Sequence, residues 1–276
     1  MKRALLVTSM AFALGFSAYS GNGYAAPPKT SAAEPAQATS LGPRLEQHKW
    51  GMTQSELTRL YTETNGILWK DYDERLAKAR VGPDMTAIEN EREAAKAAFQ
   101  RSVVEFKDTP TGYDATAIRA EYTYRNRESV MSLQRKGVKR YFFFINDRLW
   151  KMYDEVQLSP NGIGATFKDV SAKLATELGA PGRLRPAGKD VPVTTVDWSD
   201  ATTHFRVLDR SSEGLVAFVY EDNATLAKLP ALRANKDDNK FAIDPTVASV
   251  TNGSNRTDPN AAKEQPAPGP APKKKK

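Results

Sequence analysis

The residues that could carry out catalysis are few in this chain of 276 residues. Cysteine is absent and there are two histidines, His48 and His204. A cysteine nucleophile is therefore excluded, and multi-imidazole metal sites and most Ser/His triads lack the residues they need. We expect both histidines to be structural, at the surface or half-buried. No phosphate-binding loop, nucleophile elbow or zinc-protease motif is present, so the sequence predicts no catalytic residue, no metal ligand and no cofactor.

Carboxylates lie close together in two places, Asp71/Asp73/Glu74 and Asp197/Asp200. A glycosidase needs only two carboxyl groups, about 5 to 10 Å apart in a cleft. Charged residues make up 26% of the chain, however, so neighbouring acids are expected by chance. A hydrolase of envelope glycan or peptidoglycan is therefore an alternative rather than the leading hypothesis.

An aromatic segment, KRYFFFINDRLWKMY at 139–153, has six aromatic residues in fifteen positions. Strand alternation would place Tyr141 and Phe143 on one face and Phe142 and Phe144 on the other. We interpret the segment as a strand with internal packing on both sides, because buried aromatic residues are far more common than exposed ones.

Two alternatives for this segment stay open. The second aromatic face could be an interaction surface, or it could line an aromatic pocket in a small-ligand carrier, which requires a closed cavity. The candidate surface residues are Phe142, Phe144, Trp150, Tyr153 and Trp198.

Two segments that align without a gap, at a spacing of 113 residues, predict equivalent helices. They are GMTQSELTRLYTETNG at 51–66 and GATFKDVSAKLATELG at 164–179. In each, a threonine N-cap is followed three positions later by an acidic residue, which is a capping-box pattern. The glycines at the ends, Gly66 and Gly179, are expected to terminate the helices.

A second alignment, at a spacing of 77 residues, brings 142–152 onto 219–229 and Asn146 onto Asn223. Both segments have the pattern of strand, polar turn and strand. Strand candidates precede them at 117–124 and 193–208. The sequence therefore predicts an α+β protein of two tandem repeats, each a short helix followed by an antiparallel β-meander.

The first repeat contains extra helical sequence. The segment 86–106 begins with a Thr-x-x-Glu capping pattern at Thr86 and follows Gly82-Pro83, so we expect a separate helix there. The segment 67–80 is a second helix candidate. The predicted organisation comprises a signal peptide, a disordered linker, two repeats and a disordered tail, at 1–25, 26–45, 46–158, 159–233 and 234–276.

The first residues have the pattern of an export signal. Lys2 and Arg3 precede an apolar run from Ala4 to Phe16, and Gly23 and Ala25 put small residues at the −3 and −1 positions. The run is too short to span a bilayer, and the lipoprotein cysteine is missing. The sequence thus predicts a periplasmic or secreted protein with no transmembrane segment in the mature chain.

The formal net charge of +7 is concentrated at the two ends of the chain. The signal carries two basic residues and the tail eight basic against five acidic residues, which leaves about +2 for residues 26–233. A nearly neutral folded region does not favour a nucleic-acid partner. The terminal Lys273, Lys274, Lys275 and Lys276 are available to an anionic envelope polymer or lipid.

A Gly-Met-Thr turn, a short helix ending near glycine and a β-meander resemble the small α+β unit of the barrel-assembly outer-membrane lipoprotein. The tandem duplication resembles β-lactamase inhibitory protein. The resemblance covers about residues 50–230 and implies a non-catalytic fold that binds other proteins through its sheet and loops. This sequence departs from both by lacking the lipoprotein cysteine and the disulfides. The expected function is therefore an exported periplasmic interaction module with an envelope protein as partner.

Overall fold

The computed structural model describes residues 34–188 and 191–235. The predicted signal peptide, most of the linker, and the tail from 236 onward with its terminal lysines lie outside these residues. The helices are α1 (Gln54–Thr62), α2 (Ile67–Leu76), α3 (Pro83–Gln100), α4 (Phe167–Leu178) and α5 (Asn223–Leu232). The strands are β1 (Ala36–Gln37), β2 (Val104–Glu105), β3 (Glu128–Arg135), β4 (Val138–Ile145), β5 (Arg148–Gln157), β6 (Arg183–Arg185), β7 (Thr195–Ser199), β8 (Thr203–Arg210) and β9 (Leu215–Asp222). The predicted α+β class is confirmed.

The strands of the described region form one sheet, in the order β1-β7-β8-β9-β5-β4-β3-β2, with β6 also paired to β7. All pairs are antiparallel except β1 with β7. Two three-stranded meanders, β3–β5 and β7–β9, meet where β5 pairs with β9. A helix precedes each meander, α1 in one case and α4 in the other. Their origin as copies of one repeat stays a prediction.

Helix ends were predicted well where side chains cap them. Thr53 with Glu56, and Thr166 with Asp169, form complete capping boxes. Gly179 ends α4 in the left-handed conformation at φ 77°, as predicted. Gly66 does not terminate α1; it is the N-cap of α2, where a Cβ would lie 2.8 Å from the carbonyl oxygens of residues 60 and 63.

The inserted sequence forms two helices, α2 and α3. The predicted helix at 86–106 has the wrong bounds, because α3 starts three residues earlier at Pro83 and ends at Gln100. Proline favours the first helical position, and Gly82 before it has φ 114°. The capping box expected at Thr86 is consequently not used.

Two predicted strands are wrong. Residues 117–121 form a 3₁₀ helix rather than a strand. Residues 223–232 form α5, because the Asp222 carboxylate accepts a hydrogen bond from the backbone N–H of Thr225 and starts a helix there. The alignment of Asn146 with Asn223 therefore fails: Asn146 lies in a turn at φ 50°, whereas Asn223 is the first residue of α5.

The predicted disordered linker at 26–45 is wrong for its last ten residues. Ala36 and Gln37 pair with β7, and a 3₁₀ helix spans Gly42–Leu45. Leu41 and Leu45 are buried in the core. Large apolar side chains in this short segment gain enough by burial to offset the entropy of ordering it.

Both faces of the sheet are covered. The first face packs against α1, α4 and Phe99 of α3, and the second face packs against α5 and the segment 106–124. Phe142 and Phe144 lie in the core on the first face, and Tyr141, Phe143 and Ile145 lie in the core on the second. The predicted alternation of the aromatic strand is confirmed, as is its internal packing.

Candidate functional site

The residues proposed from sequence as an interaction surface are buried. Phe142, Phe144 and Trp198 are 0% exposed and pack on the first face, and Trp150 and Tyr153 are 1% exposed on the second. This prediction is wrong as a surface, because both sides of the sheet are covered and the side chains fill the two cores.

Exposed apolar surface is sparse in the described part of the chain. The exposed large apolar residues there are Val81 and Leu184, which lie on different elements, one between α2 and α3 and the other in β6. The exposed large apolar side chains of residues 34–188 and 191–235 therefore do not form one patch.

Three of the five carboxylates noted in the sequence are held by close structural contacts. Asp71 is bound by Arg135 and Lys136, and Asp197 is bound by Arg183 and His204. Asp200 accepts hydrogen bonds from the backbone N–H groups of residues 41, 202 and 203. Burial acts to raise the pKa of each of the three, but these partners outweigh it and hold each pKa below its usual value. None of the three is poised as a general acid.

The two histidines have opposite environments. His48 is buried, with Nδ1 2.8 Å from the Leu45 carbonyl oxygen and Nε2 3.0 Å from the Tyr61 hydroxyl. Burial is the main reason that its pKa falls to about 4. His204 bridges Glu221 at 3.0 Å and Asp197 at 3.3 Å. Burial opposes the imidazolium there, but the two carboxylates outweigh it and raise the pKa.

A β-bulge in β5 re-aims two side chains onto the second face. Phe143 pairs with Lys151 and Phe144 pairs with Leu149, so Trp150 has no partner in β4. Leu149 and Met152 point to the first face, whereas Trp150 packs on the second face and Lys151 lies over the Trp150 and Phe143 rings. A bulge places consecutive side chains on the same side of a sheet, and bulges are common beside functional sites.

Lys151 starts a buried charge network on this face. Its Nζ donates to the backbone oxygen of Glu121 at 2.5 Å and to the Glu121 carboxylate at 2.8 Å. Arg206 then joins Glu121 at 3.0 Å to Glu221 at 2.8 Å. Burial lowers the pKa of Lys151, and the carboxylates oppose that shift. Burial also acts to raise the pKa of both glutamates, but Arg206 and Lys151 hold them below their usual values.

The network borders a recess of about 430 Å³, which we call the bulge cavity. It lies between the second face, the 3₁₀ helix at 117–121, the segment 191–193 and α5. Its apolar wall is formed by Ala117, Ala120, Trp150, Val191, Pro192, Val193, Leu208 and Leu229. Its polar wall is formed by Glu121, Lys151, Tyr153, Arg185, Thr195, Arg206, Arg210, Glu213, Glu221 and Arg233. Ligand-binding cavities typically fall between roughly 300 and 1,000 Å³.

Two donors of the cavity wall have no partner among the described residues. Nε1 of Trp150 is buried without a hydrogen-bond acceptor. Arg185, half-buried on β6, makes no ion pair with a described carboxylate, unlike Lys151, Arg206 and Arg233. A buried donor without an acceptor costs about 1–3 kcal/mol, which applies to the Trp150 indole. Arg185 is half-buried and lines the cavity, so it is the donor that a ligand can reach.

A second recess, of about 360 Å³, lies on the first face beside Arg140. Its cations are already neutralised: Arg140 binds Asp154 through two nitrogens, Arg44 binds Glu177, and Arg135 binds Asp71. Burial raises the pKa of Asp154, but this carboxylate is fully occupied by Arg140. Nε of Arg44 is buried without a hydrogen-bond partner, but each described cation lining this recess has a carboxylate partner. Arg185 of the bulge cavity has none among the described residues.

Sequence reasoning missed the bulge cavity. Trp150 and Tyr153 were singled out, but as one surface with Phe142 and Phe144, which lie on the other side of the sheet. The available signal was Lys151 between aromatic residues in an apolar strand, because lysine is almost never buried without a partner. Its partner Glu121 lies in a segment predicted to be a strand, so the pairing was not evident.

Neither a metal site nor a membrane span is found among the described residues. No three His, Cys, Asp or Glu side chains there are arranged to hold a metal ion. None of the described helices combines the length and the apolar composition needed to cross a bilayer.

Comparisons of the chain with protein-family models, with curated proteins and with solved structures found no match. The resemblance to the lipoprotein unit and to β-lactamase inhibitory protein therefore stays a prediction.

Proposed function

We propose that this chain is an exported, non-catalytic binding protein that holds a small ligand in the bulge cavity. The observation that carries the proposal is the cavity itself: about 430 Å³, beside a β-bulge, with Arg185 in its lining and no described carboxylate paired with that cation. The leading expectation from sequence, a surface for an envelope protein, has less support because its five aromatic residues are buried.

Binding is favoured over hydrolysis by the state of the cavity carboxylates. Glu121 and Glu221 both accept hydrogen bonds from Nη2 of Arg206, so they are close enough to resemble a glycosidase pair. A glycosidase needs one of its two carboxyl groups protonated, which requires a raised pKa. Here both pKa values are lowered, and both carboxylates serve as counter-ions for buried cations.

The test of ligand binding uses the neutral fluorescent probe N-phenyl-1-naphthylamine with the purified protein. We expect saturable binding that is lost in Ala120→Phe, because this change places a ring in the cavity wall. Ala172→Phe is the matched control, since Ala172 is exposed on α4 at the first face. Equal binding by Ala120→Phe and Ala172→Phe, or no binding by the unmodified protein, would refute the proposal.

Export is tested separately. The protein isolated from the periplasm or medium should begin at Ala26, as measured by mass spectrometry of its N-terminal peptide. A chain that retains Lys2 and Arg3 and stays in the cytoplasm would contradict export but not ligand binding.

A further inference from the structure

The inner surface of the bulge cavity carries more positive than negative groups. Among the described residues, five cations and three carboxylates line it. The cations are Lys151, Arg185, Arg206, Arg210 and Arg233, and the carboxylates are Glu121, Glu213 and Glu221. Glu128 and Glu155 pair with Arg233 and Arg210 without lining the cavity. A ligand therefore meets cations on the wall while part of the compensating negative charge lies outside it.

Arg185 is the cation best placed to recognise a ligand. Its strand is fixed by pairing with Thr195, which also lines the cavity. The other four wall cations each bind a described carboxylate, whereas Arg185 binds none among the described residues. An unpaired guanidinium presents a planar fork that matches a carboxylate or another oxyanion.

The carboxylates of the cavity are unsuited to a cationic ligand. Glu121 is already paired with Lys151 and Arg206, and Glu221 is already paired with Arg206 and His204. A ligand cation that displaced one of them would leave a buried protein cation without a partner, which is strongly unfavourable.

Part of the cavity lining is apolar. Val191, Val193, Leu208 and Leu229 line the cavity together with the Trp150 ring. Such a wall favours a hydrocarbon or aromatic body rather than a free inorganic anion, which would leave this surface in contact with water.

We propose that the ligand of the bulge cavity is a small organic anion, an apolar ring or short chain bearing one carboxylate or sulfonate group that pairs with Arg185. This inference rests on the ligand-binding function proposed above.

The experiment compares two probes that share one ring system. Dissociation constants are measured for neutral N-phenyl-1-naphthylamine and for anionic 1-anilinonaphthalene-8-sulfonate, and their ratio is the readout. Arg185→Gln should weaken binding of the anionic probe about tenfold, the value of one charge-assisted hydrogen bond, and leave the neutral probe unchanged. Arg185→Lys should retain part of the preference for the anionic probe over the neutral one, because lysine keeps the positive charge but lacks the planar guanidinium.

The matched control is Arg59→Gln, which removes the same charge from an exposed position on α1 at the first face. A ratio that changes equally in Arg59→Gln and Arg185→Gln would overturn the assignment, because it would report net charge only. An unchanged ratio of the two dissociation constants in Arg185→Gln would also overturn the assignment. The proposed ligand-binding function would still hold in that case if Ala120→Phe abolished binding of the neutral probe.

Discussion

Acidification should destabilise this protein through His48 by about 3 kcal/mol. The imidazole has a pKa of about 4 in the folded protein against 6.5 for an unperturbed histidine, and each pH unit of difference corresponds to about 1.36 kcal/mol. Below pH 6.5 the unfolded chain binds a proton at this site that the folded protein excludes. The free energy of unfolding therefore falls between about pH 6.5 and pH 4.

The hydrogen bonds of His48 explain why the neutral form is favoured. With Nδ1 donating to the Leu45 carbonyl, Nε2 accepts from the Tyr61 hydroxyl. Protonation would turn Nε2 into a donor and break this arrangement in a site that is 4% exposed. Arg140 adds a positive charge nearby.

The assay is urea unfolding of the wild type and of His48→Gln at pH 7.5 and at pH 4. The wild type should lose about 3 kcal/mol more than the variant over this interval, whatever the variant's stability at pH 7.5. The chain has two histidines, so NMR can follow both imidazoles and the variant assigns them. A His48 titration near pH 6.5, or an identical loss of stability in wild type and variant, would refute the reasoning.

Three further predictions concern other buried groups. The folded protein raises the pKa of His204. Its contribution to the free energy of unfolding is therefore present below the unfolded pKa and is lost as pH rises through the folded pKa. His204→Gln should reduce the free energy of unfolding more at pH 6 than at pH 9, as measured by urea denaturation. Glu121→Gln leaves Lys151 buried without its carboxylate and should destabilise by about 3–5 kcal/mol in the same assay. Gly182→Ala should lower the melting temperature, with a cost of about 1–3 kcal/mol, because its Cβ would lie 2.5 Å from the Trp198 ring.

Two of these predictions have a control variant in the same chain. Glu213→Gln removes a carboxylate that is half-exposed and paired with Arg210, and a surface pair of this kind should change stability by less than about 1 kcal/mol. Gly112→Ala adds a Cβ that meets nothing within 4 Å. A Glu121 effect no larger than the Glu213 effect, or equal melting temperatures for the two alanine variants, would contradict the packing described above. For His204, an equal loss of stability in His204→Gln at pH 6 and at pH 9 would contradict the raised pKa.

Local signals predicted the starts of α1 and α4, the end of α4 and the two faces of the aromatic strand correctly. The capping boxes at Thr53 and Thr166 depend on residues three positions apart, and the alternation around Phe143 depends on nearest neighbours. Such patterns are contained within one segment, so the sequence can reveal them without knowledge of the fold.

The errors arose where distant residues decide the structure. Residues 117–121 have strand-like alternation, but Glu121 is held by Lys151, thirty positions away. The extra residue in β5 cannot be seen without its partner β4, so the side on which Trp150 lies was not predictable. The error at the start of α5 is different, because it concerns a local signal. Asp222 caps the helix through Thr225, whereas the alignment of 219–229 with 142–152 predicted a turn and a strand there.

The pairing of β5 with β9 has a consequence for dissecting the protein. Seven residue pairs, from Lys151 with Glu221 to Gln157 with Leu215, connect the two meanders. Cutting the chain between 158 and 159 would therefore leave a long unpaired edge on each half. Unprotected edges of this kind recruit further chains, so the halves expressed alone should aggregate, and the two, mixed as they refold, should recover solubility by complementing each other.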